Sequence, residues 1–363
     1  MRAGQAWRAR GDRGQTSEHS LASSTPEDDD CVCWPMDLRQ GMFKARTPRP
    51  PPGGRAGGEP QPLAWSDYFE NRQAVPVGDT RFNVYSSGLG GAGPVFVLHH
   101  GAGHSGLTFG LLARHMCAAE PGIAVVAFDA RGHGGTAGDN EGDLQLERLV
   151  DDLVGVVDAV LPENKRDVVL VGHSMGGAVV ARACRRIAHV LGLVLIDIVE
   201  GSAMESLHAI PGFIVARPQT FATVGSAISW HIDSAEIQNE ESARLSVPSL
   251  IAPAGDAWAW RTALLPTEPF WRSWYQGLSS AFATAPAARL LILAGTDRLD
   301  KELLIAQMQG KFQLELLPAA GHTIQEDLPE RVGDTLVSFW RRNQRLDIPV
   351  RRINPPPPAK AQE

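Results

Sequence analysis

Cysteine is scarce in this chain: four among 363 residues, at Cys31, Cys33, Cys117 and Cys184. Cys31 and Cys33 have no second pair to complete a zinc site, and the other two fall within helical patterns. Nothing in this usage calls for disulfides, which fits a reducing compartment. Long apolar runs are missing as well, since none approaches the ~20 residues that a membrane span needs. Basic charge is not in excess, because 34 Lys and Arg face 41 Asp and Glu for a formal net charge of −7. Neither nucleic acid nor an anionic membrane is therefore an expected partner. Met1–Arg13 carries four arginines but no apolar core follows, so it does not read as a secretory signal. Asp12 and the acidic run Glu27–Asp30 argue against an organellar transit peptide. The expected location is the cytoplasm, with the nucleus as the alternative.

What is present points to one large α/β unit. Hydrophobic residues make up 43%, enough for a substantial core. Residues 1–62, poor in periodic apolar positions and rich in Pro, Gly and Arg toward their end, read as a disordered leader. Order is expected from Leu63, where large aromatics first cluster. Continuous apolar runs at Val95–Leu98, Ile123–Phe128, Val168–Val171, Leu191–Ile198 and Arg289–Ala294 read as strands buried on both faces. Between them lie helical patterns, among them Leu146–Val160, whose Leu146, Leu149, Val150, Leu153, Val156 and Val157 form one stripe. This alternation predicts a mostly parallel central sheet with helices on both faces. The core is divided as 63–200 and 286–344. Residues 201–285, rich in Trp, Ser and Pro, interrupt the rhythm and read as a helical cap inserted over the carboxyl ends of the strands. Residues 345–363 form a Pro-rich tail with no reason to fold.

The stretch Val168–Gly177 organises the rest. A β-branched run leads into Gly172-His173-Ser174-Met175-Gly176, and an Ala/Val-rich helical pattern follows from Ala178 to about His189. Strand, sharp turn and helix are the setting of a nucleophile elbow, the mark of the α/β-hydrolase fold. A Cβ at Gly172 or Gly176 would clash with neighbouring backbone. Ser174 would project above the sheet, and the N–H of Met175 would face an oxyanion formed there. In such hydrolases the order is nucleophile, acid, histidine. His322, in Ala320-Gly321-His322 after the last strand, is the expected base. The acid stays open between Asp197 and Asp297, each ending a strand. The glycine-rich loop His100-Gly101-Ala102-Gly103 supplies the second oxyanion N–H, expected at Ala102. His100 and His133 read as bracing residues, and His173 as lying on the far side of the elbow. A serine nucleophile implies an ester or thioester substrate, with no metal or organic cofactor.

Several segments are more specific than the elbow. Pro62–Glu70 (PLAWSDYFE), Ile196–Met204 (IDIVEGSAM), Arg217–Phe221 (RPQTF), Asp297–Lys301 (DRLDK) and Gln307–Gln313 (QMQGKFQ) together resemble the protein phosphatase methylesterase family. The resemblance runs from about Pro62 to Asn343. It implies removal of the methyl ester from the C-terminal leucine of the 2A-type protein phosphatase catalytic subunit. That subunit would be both substrate and binding partner. The resemblance also selects Asp197, in the Ile-Asp-Ile-Val-Glu-Gly segment, as the triad acid and leaves Asp297 as fallback. Two departures stand out: Ser246–Asp256 is short and nearly uncharged where animal members carry an acidic insertion, and Ala102 replaces a glycine. The competing expectations are a generic carboxylesterase or lipase and a non-catalytic partner that sequesters the phosphatase.

Overall fold

The computed structural model describes residues 58–163, 165–295 and 299–344. Eight strands build the central sheet: β1 (Asn71–Val77), β2 (Thr80–Ser87), β3 (Val95–His99), β4 (Ala124–Phe128), β5 (Val168–His173), β6 (Val190–Ile196), β7 (Ala288–Leu293) and β8 (Gln313–Leu316). Their spatial order is β1-β2-β4-β3-β5-β6-β7-β8, and a two-residue strand, Ala137–Gly138, adds to β2. β2 runs antiparallel to β1 and β4, and every other neighbouring pair in that order is parallel. This is the mostly parallel sheet that the alternating runs imply. β3, β4 and β5 are buried throughout, as their unbroken apolar sequences require.

The two faces of the sheet carry separate cores. Along β5, Val168 and Leu170 point to one face and Val169 and Val171 to the other. The first face packs on α2 (Leu146–Val160) and α3 (Met175–Ala183). α4 (Lys301–Met308) joins the first face through Leu303 and Ala306, while the second face packs on α1 (Gly110–Ala119) and on the terminal helix α5 (Pro329–Asn343) through Val332, Leu336 and Phe339. The six residues of the α2 stripe are all buried, so its period was set by this packing.

α3 begins at Met175 and ends at Ala183, earlier at both ends than the apolar pattern suggests. Gly176 and Gly177 read as turn residues but form its first turn. The strand β1 has no apolar alternation and contains Pro76, which is tolerated because β1 is an edge strand.

The segment between β6 and β7 holds the helices Glu200–Ser206, Ile210–Ala216, Val224–Asp233, Glu240–Ser246, Glu268–Tyr275 and Leu278–Ala283. It is not purely helical. Thr220–Phe221, Ala257–Trp260 and Ile251–Ala254 pair as a small antiparallel sheet. That sheet and its neighbouring helix share a core of their own around Phe221, Ile228, Val247 and Ile251. Thr223 and Ser226 close a capping box on helix Val224–Asp233. Glu59 and Gln61 bond to this segment at Thr223 and Arg244. The leader up to residue 57, the tail from residue 345, Cys31, Cys33 and Asp297 lie outside the described residues.

Candidate active site

β5 delivers Ser174 to the carboxyl end of the sheet, and α3 leaves from the next residue. Ser174 has φ 52° and ψ −120°, a region that a residue with a side chain rarely occupies. The turn survives because its surroundings lock it. Its N–H donates to the Ile196 carbonyl at 3.1 Å, and its carbonyl accepts from Gly177 N at 2.9 Å. The neighbouring glycines are required by space. A Cβ on Gly176 would stand 2.6 Å from the His100 carbonyl oxygen and closer still to that of His99. One on Gly172 would collide with the Gly176 carbonyl in the same way.

Asp197 follows β6 and is fully buried, with φ 48°. One carboxylate oxygen accepts from Ala294 N at 3.1 Å, and the other lies 2.8 Å from His322 Nδ1. His322 sits on the loop after β8 and lines one cavity with Ser174. Three chain segments far apart in sequence thus bring Ser174, His322 and Asp197 to the same end of the sheet.

The loop after β3 comes within reach of the elbow. A Cβ on Gly101 would lie 3.1 Å from Ser174 Cβ. Ala102 lines the cavity. Met175 opens α3, where the first N–H groups have no acceptor inside the helix. His100 and His133 brace this loop. His100 Nδ1–H donates to the Gly101 carbonyl at 2.7 Å, while Nε2 accepts from Ala130 N. His133 Nε2 accepts from Gly103 N at 2.9 Å.

His173 corrects the reading that put it on the far side of the elbow. Its Nε2–H donates to the His322 carbonyl at 2.9 Å, and the two rings are 4.7 Å apart. Burial pulls its pKa well below 6.5, so the ring is neutral, and the bond to His322 places its one proton on Nε2. The alternation of β5 hides this, because His173 follows a run of residues buried for packing alone.

The cavity measures about 140 Å3 and is lined mainly by apolar side chains, with Trp230, Trp260, Trp271 and Trp274 among them. Three polar residues there escaped sequence reasoning as site residues. The Tyr275 phenol reaches the Ser174 side chain, and burial pushes its pKa up to about 12. Arg217 lies over the Trp260 ring, its Cζ 3.8 Å from the centroid. Burial pulls its pKa down to about 10, which leaves it charged at neutral pH. Burial also raises the Glu236 carboxyl above its ordinary value. The motif Arg217–Phe221 was visible as a signature, but nothing in it announces a cavity.

Residues 96–335 match the alpha/beta hydrolase family. Among solved structures, E-2-(acetamidomethylene)succinate hydrolase superposes with a TM-score of 0.62 at 20% identity, covering 75% of this chain and 99% of that one. This likeness is one of fold. Curated relatives are much nearer in sequence. Protein phosphatase methylesterase 1 of Aspergillus oryzae is 43% identical over 78% of this chain and 72% of its own. That of Gibberella zeae is 41% identical over 82% of this chain and 79% of its own.

The chain belongs to the protein phosphatase methylesterase family. It has the α/β-hydrolase fold and is a carboxylic ester hydrolase. Among its described residues no helix is long and apolar enough to cross a membrane.

Proposed function

We propose that this methylesterase family member is a serine esterase that hydrolyses the methyl ester of the C-terminal leucine of the 2A-type protein phosphatase catalytic subunit. The observation that carries the reading is the meeting of Ser174, His322 and Asp197 at the strand ends of a chain whose relatives are protein phosphatase methylesterases. Ser174 Oγ attacks the ester carbonyl carbon while His322 Nε2 takes its proton. Asp197 holds the opposite ring nitrogen and stabilises the imidazolium. The oxyanion is received by the N–H groups of Met175 and Ala102. Collapse breaks the bond to the methoxy oxygen, and methanol leaves with the proton from His322. Water then attacks the acyl-enzyme while His322 accepts its proton, and His322 returns that proton to Ser174 Oγ as the free carboxylate leaves. No step uses a metal or organic cofactor, and Asp297 is held as the fallback acid.

Residues 201–285 act as the cap that covers this site and reads the acyl side of the ester. The phosphatase catalytic subunit is substrate and binding partner, met in the cytoplasm or nucleus. The test is demethylation of the carboxymethylated catalytic subunit, followed by methanol release, with wild type beside Ser174→Ala. Wild type should demethylate, and the variant should fall by 10⁴-fold or more, on the order of triad knock-outs elsewhere. Cleavage of simple esters without action on the phosphatase would replace this reading by a generic esterase. Binding without cleavage of either would make the protein a sequestering partner.

A further inference from the structure

The cavity holds a guanidinium without visible use. Arg217 is fixed from several sides. Its guanidinium lies over Trp260, the Trp260 Nε1–H donates to the Pro218 carbonyl at 2.7 Å, and Gln219 Nε2 donates to the Arg217 carbonyl at 2.8 Å. Yet its Nε is buried and has no hydrogen-bond partner among the described residues. Its neighbours along the cavity wall include Ile210, Phe213 and Ile214, which offer no side-chain acceptor. A buried donor left unpaired is costly, and an unpaired one in a binding cavity is suited to an acceptor that arrives with the ligand.

The acceptor has to sit on the acyl side. The alcohol side of a methyl ester is a single carbon and offers nothing beyond the ester oxygens. The charge balance then selects its type. Glu236 lines the same cavity, and its charged form favours the guanidinium. An anionic ligand group would meet that carboxyl unfavourably, whereas a neutral carbonyl carries no net charge to oppose it. We infer that Arg217 is a specificity-determining residue that donates a hydrogen bond to the amide carbonyl preceding the esterified residue. The enzyme thereby distinguishes the ester of a peptide C-terminus from an ester of a plain carboxylic acid. This rests on the proposed reading of the substrate as a peptide ester.

The experiment compares N-acetyl-leucine methyl ester with methyl isocaproate, which has the same acyl skeleton without the acetamido group. Wild type should favour the amide ester by about 10- to 100-fold in kcat/KM, the discrimination that a hydrogen bond to a charged group gives. Arg217→Met should bring that ratio close to one, and Arg217→Lys should restore part of it. A wild-type ratio near one overturns the inference without any variant. So does an Arg217→Met protein that slows both esters equally, which is the result of a purely structural role. Methylated phosphatase is run beside them. If the phosphatase is demethylated while the ratio ignores Arg217, the subsite fails and the proposed function stands. If the ratio depends on Arg217 but the phosphatase is untouched, the subsite stands and the proposed function fails.

Discussion

Gly176→Ala tests whether the close approach of β3 to α3 sets the geometry of the oxyanion loop. The added Cβ would stand 2.6 Å from the His100 carbonyl oxygen and nearer still to that of His99. Carbon and carbonyl oxygen do not ordinarily come closer than about 3.3 Å. The two backbones must therefore separate by roughly 1 Å, and both offending atoms are main chain, so no rotamer change relieves them. The displaced carbonyls immediately precede the loop that carries Ala102. A misplacement of about 1 Å at a reacting centre costs on the order of 100-fold in rate. Overpacking of this kind costs about 1–3 kcal/mol in stability, which leaves a domain of this size folded. The expected outcome is thus a folded protein whose kcat for a short nitrophenyl ester falls about 100-fold, with a modest drop in Tm. Gly142→Ala is the control, since nothing lies within 4 Å of a Cβ there. A Gly176→Ala protein with kcat within twofold of wild type would refute the claim that this spacing positions the oxyanion donors.

Three further outcomes are expected. Tyr275→Phe, which keeps the ring and removes the hydroxyl that reaches Ser174, should lower kcat by roughly 5- to 10-fold. Because that phenol stays protonated to about pH 12, the pH–rate profile below pH 10 should keep its shape, and a changed profile would contradict the assignment. His173→Gln should weaken the support of the His322 loop and lower kcat roughly tenfold with KM little changed, as steady-state kinetics would show; equal kcat would leave the brace without function. Burial raises the Glu326 carboxyl from its ordinary 4.5 to about 8. Its folded form keeps the proton that the unfolded chain loses, so this contribution to stability is full below about pH 4.5 and is lost as pH rises through about 8. Glu326→Gln should therefore gain on wild type by several kcal/mol between pH 5 and pH 8 in urea titrations, and parallel curves would sink the idea.

The elbow was legible because strand, glycine spacing and helix all constrain the same few atoms. The buried strands were legible because a parallel sheet covered on both faces needs continuous apolar runs, and α2 because a helix on that sheet needs one stripe. β1 was not, since an exposed edge strand needs no alternation and tolerates Pro76. The small sheet between β6 and β7 was hidden for a related reason. Its strands are two to four residues long, too short for a period, and Thr220–Phe221 finds its partner only at Ala257–Trp260, beyond two helices. Within the candidate site, Ser174 and His322 stand in recognisable local patterns. Asp197 and Asp297 do not differ in theirs, and only the resemblance ranks them. Arg217, Glu236 and Tyr275 depend on where the inserted segment folds back, which no local pattern encodes.

The histidines around the site explain where the reaction's proton can go. Burial pulls the pKa values of His99, His133 and His231 down to about 4 and that of His104 to about 3, and it holds His100 and His173 well below their ordinary value. The bonding of two of them requires the neutral form independently. His100 and His133 each accept a backbone N–H at Nε2 while facing a carbonyl at Nδ1, a combination that a doubly protonated ring cannot make. Protonating either would break the link that holds the Gly101–Gly103 loop. His322 is placed differently. Its Nδ1 faces the buried Asp197 carboxylate rather than a carbonyl, so its charged form has a partner of opposite sign. In the proposed mechanism the proton lifted from Ser174 passes to His322, which faces Asp197, while the neighbouring rings keep the neutral tautomers that hold the Gly101–Gly103 loop in place.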